Sequence, residues 1–394
     1  MMRLGIDAHK KKCVAACMMD GNTEPSEIFE FQTTMQGMET LYARVPERSV
    51  VVIEASTTGK VISRLLSQRY EVHMVAPPER KPSIKTDERD AVRIVREDSL
   101  GYLRRVYVPS QYIEEMRSLV MQQIQVGRKI ARVKNQIHSL LERNMVHDLD
   151  DLSDPFGVEG LERIARLKLP ADDTATLRTY LDEMKLHLLH HERFESRLAK
   201  MAESDDDVGL LMTIPGMNIF TAVTTKSRIG DIARFPTKKR LCSYAGLVPK
   251  VDNSGEYRSN HRGIKHGDAV LKYALTCAVR GAVTARKQTV VKRYYRKMLK
   301  RQGVAQKAEV AAARKLVCII WKVLSSKQSY VEEDRYLTAK KMKSVRYKAK
   351  RSLPSSDEDR TSVSSLLKDI SSHADIISRY PFDMEGLSGD EGDT

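Results

Sequence analysis

The chain has little of what braces a small secreted fold. Its five cysteines (Cys13, Cys17, Cys242, Cys277 and Cys318) are scattered and odd in number. Cys13 and Cys17 stand four apart, with neither a second pair nor nearby histidines. This argues against a disulfide framework and a zinc site, and the thiols read as free and buried. No apolar run is long enough to span a membrane. Asp7 and the lysines at 10, 11 and 12 interrupt any signal-peptide pattern, which predicts a cytoplasmic protein. No basic helix also carries an aromatic apolar face, so a membrane surface is not the predicted partner. A phosphate loop is missing too. Gly59-Lys60 has neither the first glycine nor the Ser/Thr that should follow the lysine.

What is present is length and positive charge. With 394 residues, 41% of them hydrophobic, the chain can build two or three domains. Lys and Arg number 67 against 52 acids, a formal charge of +15. Because the C-terminal segment is rich in Asp and Glu, the remainder is more basic still. Such an excess calls for a polyanion, and DNA or RNA is the default.

The most informative stretch is Arg3-Leu4-Gly5-Ile6-Asp7-Ala8-His9-Lys10, an apolar run with one acid inside it. A carboxylate in a buried strand is costly unless something cationic or hydrogen-bonding meets it. Alone, it reads equally well as an acid capping a turn. Val50-Val51-Val52-Ile53-Glu54 repeats the pattern, and Asp87 and Asp90 lie three apart on one face of a predicted helix. Gathered acids repel, and a hard divalent cation is the usual reason to gather them. Asp7, Glu54, Asp87 and Asp90 are therefore the candidate metal set, with two magnesium ions side by side as one way to run phosphoryl transfer.

Strands are predicted over 3–8, 13–18 and 27–33, a helix over 35–45, a strand over 50–53, a helix through Val61–Leu66 and a strand over 72–75. Three strands followed by alternating helices and strands is an α/β plan with a mixed sheet, the order of the RNase H-like fold. From Ser110 the period changes. Ile113, Met116, Val120, Ile130, Val133, Ile137 and Leu140 mark one long helix, and Leu177, Leu181, Met184, Leu188, Leu198 and Met201 another. Turn material over 148–173 separates them. The pair suggests an antiparallel hairpin or a dimerising coiled coil. His187, His190 and His191 sit among acids and arginines and read as a solvated face.

Ile214-Pro215-Gly216 between short helical patterns resembles a helix-hairpin-helix turn, and an ordinary helix–helix turn fits equally well. The polar loop from Val251 to Asp268 holds Ser254 beside Gly255, followed by Arg258, His261, Arg262, Lys265 and His266. A serine hydroxyl needs a base, a metal or a cationic cradle to act as a nucleophile. On spacing alone Ser254 reads better as a plain turn residue than as a nucleophile. Small-residue and amphipathic helices follow over 267–285 and 307–324. A basic run beyond Lys340 then passes into a Ser-rich acidic tail predicted to be disordered.

Taken in order, Gly5-Ile6-Asp7, Val52-Ile53-Glu54-Ala55, Lys85-Thr86-Asp87-Glu88-Arg89-Asp90-Ala91, Ile214-Pro215-Gly216, Gly246-Leu247-Val248-Pro249, Ser254-Gly255 and Gly263-Ile264-Lys265-His266-Gly267 resemble the DEDD transposases of the insertion-sequence-110 group. Pilin-gene invertases are among that group's relatives. The likeness runs from about residue 3 to 330.

The resemblance implies an α/β RuvC-like DEDD catalytic domain over 1–105 in which Asp7, Glu54, Asp87 and Asp90 hold Mg2+. It implies a helical coiled-coil linker over 106–205 that pairs protomers. It also implies a mainly α transposase domain over 206–330 with the hairpin-like element, leaving 331–394 as a basic segment and acidic tail. On this motif match Ser254 attacks DNA through a 5′-phosphoserine link. Ser259 is the next candidate, because Asn253 stands where many members carry a second serine. Lys250, Arg258, Arg262 and Lys265 are the implied nucleic-acid contacts. The implied partners are DNA, a structured guide RNA and further copies in a dimer or tetramer. Two other readings stand beside it: a RuvC-like nuclease that uses metal-activated water, and a non-catalytic nucleic-acid-binding relative.

Overall fold

In a computed structural model of the protein, described for residues 1–77, 86–147, 149, 151–152, 154–248 and 267–350 and for the strand backbone at 253–254 and 257–258, the chain forms two units. They span Met1–Ser110 and Gln111–Thr394.

The first unit is built on β1 (Met2–Ala8) and β2 (Lys12–Met19), an antiparallel hairpin closed where His9 N–H donates to the Lys12 carbonyl at 3.2 Å. β3 (Glu27–Gln32) extends it on the outer side. β4 (Val50–Glu54) and β5 (Glu71–Val75) add in parallel to β1, so the strand order is β3-β2-β1-β4-β5. Helices α1 (Met35–Arg44), α2 (Thr57–Leu66) and α3 (Asp87–Ser99) flank this sheet. Thr34, Ser56 and Thr86 cap them through side-chain oxygens that accept from the backbone three residues on. The mixed five-stranded sheet with flanking helices is the RNase H/RuvC-like arrangement anticipated from the order of elements.

Strand alternation sorts the two faces. Leu4, Ile6, Val51 and Ile53 pack with Met38, Leu41, Ile62 and Leu66 of α1 and α2. On the opposite face Val14, Ala16 and Met18 meet Ala91 and Val95 of α3, and Val50, Val52 and Val75 meet Ile94. Gly5 permits that second packing. A Cβ there would stand 2.4 Å from the Ala91 carbonyl oxygen and 2.8 Å from the Val95 nitrogen, both backbone atoms.

The second unit is largely helical. α4 (Gln111–Arg143) and α6 (Ala171–Ser204) run antiparallel, with α5 (Val158–Arg166) near their turn. Asn144 beside the end of α4 donates to Asp173 at the start of α6 at 2.8 Å, Gln123 meets His191 at 2.8 Å, and Tyr112 at the start of α4 donates to the Met201 carbonyl at 3.4 Å. These contacts make the two long helices an antiparallel hairpin within the chain.

One feature of that hairpin differs from the predicted stripe. Between a distal core (Val133, Ile137, Leu181, Met184) and a proximal one (Met116, Val120, Leu198) lie Gln123, His187 and His191. His187 is only 8% exposed, so it is buried rather than solvated. α5 also falls in the stretch read as turn material, because Gly157 and Gly160 hide an apolar stripe that ends in the buried Ile164.

Next come α7 (Asp206–Met212), α8 (Ile219–Ile229), a 3-10 turn at Ile232–Arg234 and α9 (Lys238–Tyr244). They are followed by the two-residue strands β6 (Asn253–Ser254) and β7 (Tyr257–Arg258), then α10 (Ala269–Thr284), α11 (Val290–Gln302), α12 (Ala305–Ser326) and α13 (Arg335–Lys350). The Pro215-Gly216 turn joins α7 to α8. Gly216 has φ +87°, and a Cβ on it would lie 2.2 Å from the Ala278 carbonyl of α10, so it serves helix packing. The predicted acidic tail lies outside the described residues. Among the described residues no helix is long and apolar enough to cross a membrane.

Gly5→Ala should cost about 2–3 kcal/mol, because the new methyl meets the α3 backbone, which cannot rotate away. Urea denaturation of the full chain, followed by a probe in the first unit, measures it. A loss near that of a surface Gly→Ala change would refute the close packing.

Candidate metal centre

β1 and β4 run parallel in the register Gly5↔Val52 and Ile6↔Ile53, which brings Asp7 and Glu54 to the carboxyl ends of adjacent strands. By the alternation above, both side chains belong to the α3 face. Ligand sites in open α/β sheets lie in the crevice beyond such strand ends. α3 starts there as well, with Asp87, Glu88 and Asp90 in its first turn, where the helix dipole favours negative charge.

The carboxylates are held in two pairs. His9 Nε2 lies 3.0 Å from Asp7 Oδ2 and 3.3 Å from Asp87 Oδ1, and the three groups can offer ligand atoms all within 4.8 Å of one another. Arg93 bridges the others: Nη2 is 3.3 Å from Glu54 Oε2 and Nε is 3.6 Å from Asp90 Oδ1, while Nη1 reaches Glu97 Oε2 at 3.2 Å. Asp90 is buried, and Asp7 has a side chain only 14% exposed, whereas His9 at 43% faces outward. Burial pushes the Asp7 carboxyl above its ordinary range. His9 pulls it back, and the carboxylates of Asp90 and Asp87 push it up again.

These residues suit a divalent cation. A half-buried carboxylate that repels two neighbours is an unfavourable arrangement in isolation, and a hard cation relieves it. Asp7, His9 and Asp87 are compatible with a single divalent ion, and they are the one such group found among the described residues. His9 and Arg93 were not singled out in the sequence. His9 stands two residues beyond Asp7, and Arg93 is one helical turn beyond Asp90; those spacings were the available signals.

The other predicted site residues are less defined. Ser254 pairs with Tyr257 in the β6–β7 ladder, so its backbone and that of Arg258 are placed, but not their side chains. Lys250, Ser259, Arg262 and Lys265 lie outside the described residues. The cap that follows the loop is clear: Asp268 accepts from Leu271 N–H at 2.9 Å, from Arg228 Nε at 2.7 Å and from the Tyr244 hydroxyl at 3.3 Å.

Fold and centre together define an RNase H/RuvC-like enzyme with an acidic metal site. Two family models agree, DEDD transposases of the IS110 type over residues 4–146 and "Transposase IS116/IS110/IS902 family" over 208–296. The chain belongs to the IS110/IS1111 family of DEDD transposases, catalytic proteins that act on DNA through a metal-binding site. It is similar to the transposase for insertion sequence element IS1111A of Coxiella burnetii (strain RSA 493 / Nine Mile phase I), at 23% identity over 65% of this chain and 72% of that protein. A putative transposase, y4qE, of Sinorhizobium fredii (strain NBRC 101917 / NGR234) is 26% identical over 64% of each. Another from the same strain, y4pF/y4sB, is 24% identical over 84% of this chain and 86% of its own length.

These findings correct the reading of Ser254 as the attacking group. The metal-capable cluster and the DEDD match both fall in the first unit, and they support a RuvC/DEDD-like metal-dependent mechanism. Such a mechanism needs no protein hydroxyl as its nucleophile. The serine reading came from a cation-rich loop pattern, which by itself does not distinguish a turn from a nucleophile.

The raised Asp7 carboxyl has a pH consequence. In the metal-free fold it contributes stability at low pH that is lost as pH rises from the ordinary carboxylate range through its own raised value. A divalent ion restores stability in that window, by about 2.7 kcal/mol at a hundredfold excess over its Kd. Thermal melts with and without Mn2+ at pH 4 to 8 should show an increment that grows with pH and disappears in Asp7→Asn. An increment independent of pH, or retained in the variant, would contradict the assignment.

Proposed function

We propose that the chain is a metal-dependent DNA nuclease and recombinase of the RuvC type, with Asp7, Glu54, Asp87 and Asp90 as its catalytic carboxylates and magnesium as its ion. The observation that carries this is the convergence of Asp7 and Asp87 on one imidazole at the strand ends. When bound, a divalent ion at such a site lowers the pKa of a water and neutralises the departing oxygen of a phosphodiester. The chain's own part is positional. Strand register aligns Asp7 with Glu54, α3 presents Asp87 and Asp90 from its first turn, and His9 holds the Asp7 and Asp87 oxygens toward one point. A second ion of a two-ion arrangement would draw on Glu54 and Asp90.

DNA is the substrate of this reading. A structured RNA and further copies of the chain are its partners, a reading supported by the +15 charge and by the family likeness. Within it, 1–105 is the catalytic domain, 106–205 the helical connector, 206–330 the transposase domain and 331–394 a basic and acidic extension. Lys250, Arg258, Arg262 and Lys265 supply phosphate contacts.

Incubation with duplex and branched DNA in Mg2+ should give metal-dependent cleavage and no denaturation-resistant protein–DNA adduct. Asp87→Asn should lower cleavage by at least about 100-fold while DNA affinity changes little. An abundant covalent adduct, or cleavage undiminished in EDTA, would overturn the proposal.

A further inference from the structure

The four carboxylates do not form one open cage. Asp7 and Asp87 share an exposed imidazole, whereas Glu54 and Asp90 share the guanidinium of Arg93, a permanent cation. The Arg93 contacts in that half are loose. They measure 3.3 and 3.6 Å, and its buried Nε has no hydrogen-bond partner. A guanidinium committed to a carboxylate makes two short parallel bonds, and this one makes none to Asp90.

A third acceptor stands behind it. Glu97, one turn further along α3, takes Nη1 at 3.2 Å, and Arg93 and Glu97 both line a cleft along that helix with Glu88 and Arg96. The side chain thus has a second seat on its own helix, away from Glu54.

We propose that Arg93 is a positioning residue that sets the number of ions the centre holds. It rests on the metal-site reading above and deepens it. Seated between Glu54 and Asp90, the guanidinium neutralises the half of the site a second ion would use. The metal-free and nucleic-acid-free chain therefore takes one ion, at Asp7 and Asp87. A second ion competes with Arg93 and enters only when the guanidinium leaves Glu54 and Asp90 and keeps Glu97, which already holds its Nη1. One cation replaces another.

Mn2+ binding to the full-length chain, without nucleic acid, tests this by isothermal titration and by the electron paramagnetic resonance signal of free ion. Wild type should bind one ion tightly. Arg93→Gln should bind two, the second at least tenfold tighter than in wild type, and Arg93→Lys should fall back toward one. Glu97→Gln alters a half-exposed residue and weakens its hold on Arg93, so it should weaken the second ion several-fold. Far-ultraviolet circular dichroism and melting temperature confirm that each variant is folded. If wild type binds one ion and the Arg93 and Glu97 variants leave both stoichiometry and affinity unchanged, Arg93 has no such role. Two equivalent ions in wild type overturn it as well. If wild type binds no ion, the metal site itself fails, a result distinct from either.

Discussion

The first unit depends on the direct approach of α3 to β1 across Gly5. With no side chain at that position, the helix backbone rests against the strand, and Ala91 and Val95 fill the space between them. The same contact fixes where α3 begins. Its first turn falls beside the end of β1, so Asp87 and Asp90 arrive next to Asp7 although about eighty residues separate them along the chain. Without that approach, the parallel register of β1 and β4 would align only Asp7 and Glu54.

Bringing these acids together acts against stability. Asp90 is buried, Asp7 is nearly so, and the charge of each raises the cost of the other. The fold answers with groups of its own. One imidazole spans Asp7 and Asp87, one guanidinium spans Glu54, Asp90 and Glu97, and the amino end of α3 adds its dipole. These contacts offset part of the repulsion among the carboxylates. Local instability of this kind is common at sites selected for chemistry.

Much of this was legible in the sequence. Val50–Ile53 read as a strand because β-branched residues covered on both faces form a continuous apolar run, and each acid stood out against such a run or a helical spacing. Capping residues Thr34, Ser56 and Thr86 sit where their side chains can satisfy the first amides of α1, α2 and α3. What was hidden belongs to side chains whose role depends on three-dimensional neighbours. His9 and Arg93 offered only their spacing from Asp7 and Asp90, which does not show which carboxylates they meet. The buried His187 was read as solvated because the charged residues around it in sequence lie on other faces of α6. Ser254 was read for its neighbours in the loop, and loop composition carries no information on which groups meet in space. The long helices were plain from their stripes, but the direction in which α4 and α6 pair rests on contacts such as Asn144 with Asp173.

The central claim is that side chains from β1 and α3 form one divalent-cation site. Anomalous diffraction from crystals of the full chain soaked in Mn2+ tests it most directly. The account predicts a peak bounded by the carboxylates of Asp7 and Asp87, about 2.0–2.4 Å from their oxygens. A peak at unrelated surface acids, with none beside Asp7 at millimolar Mn2+, would contradict it.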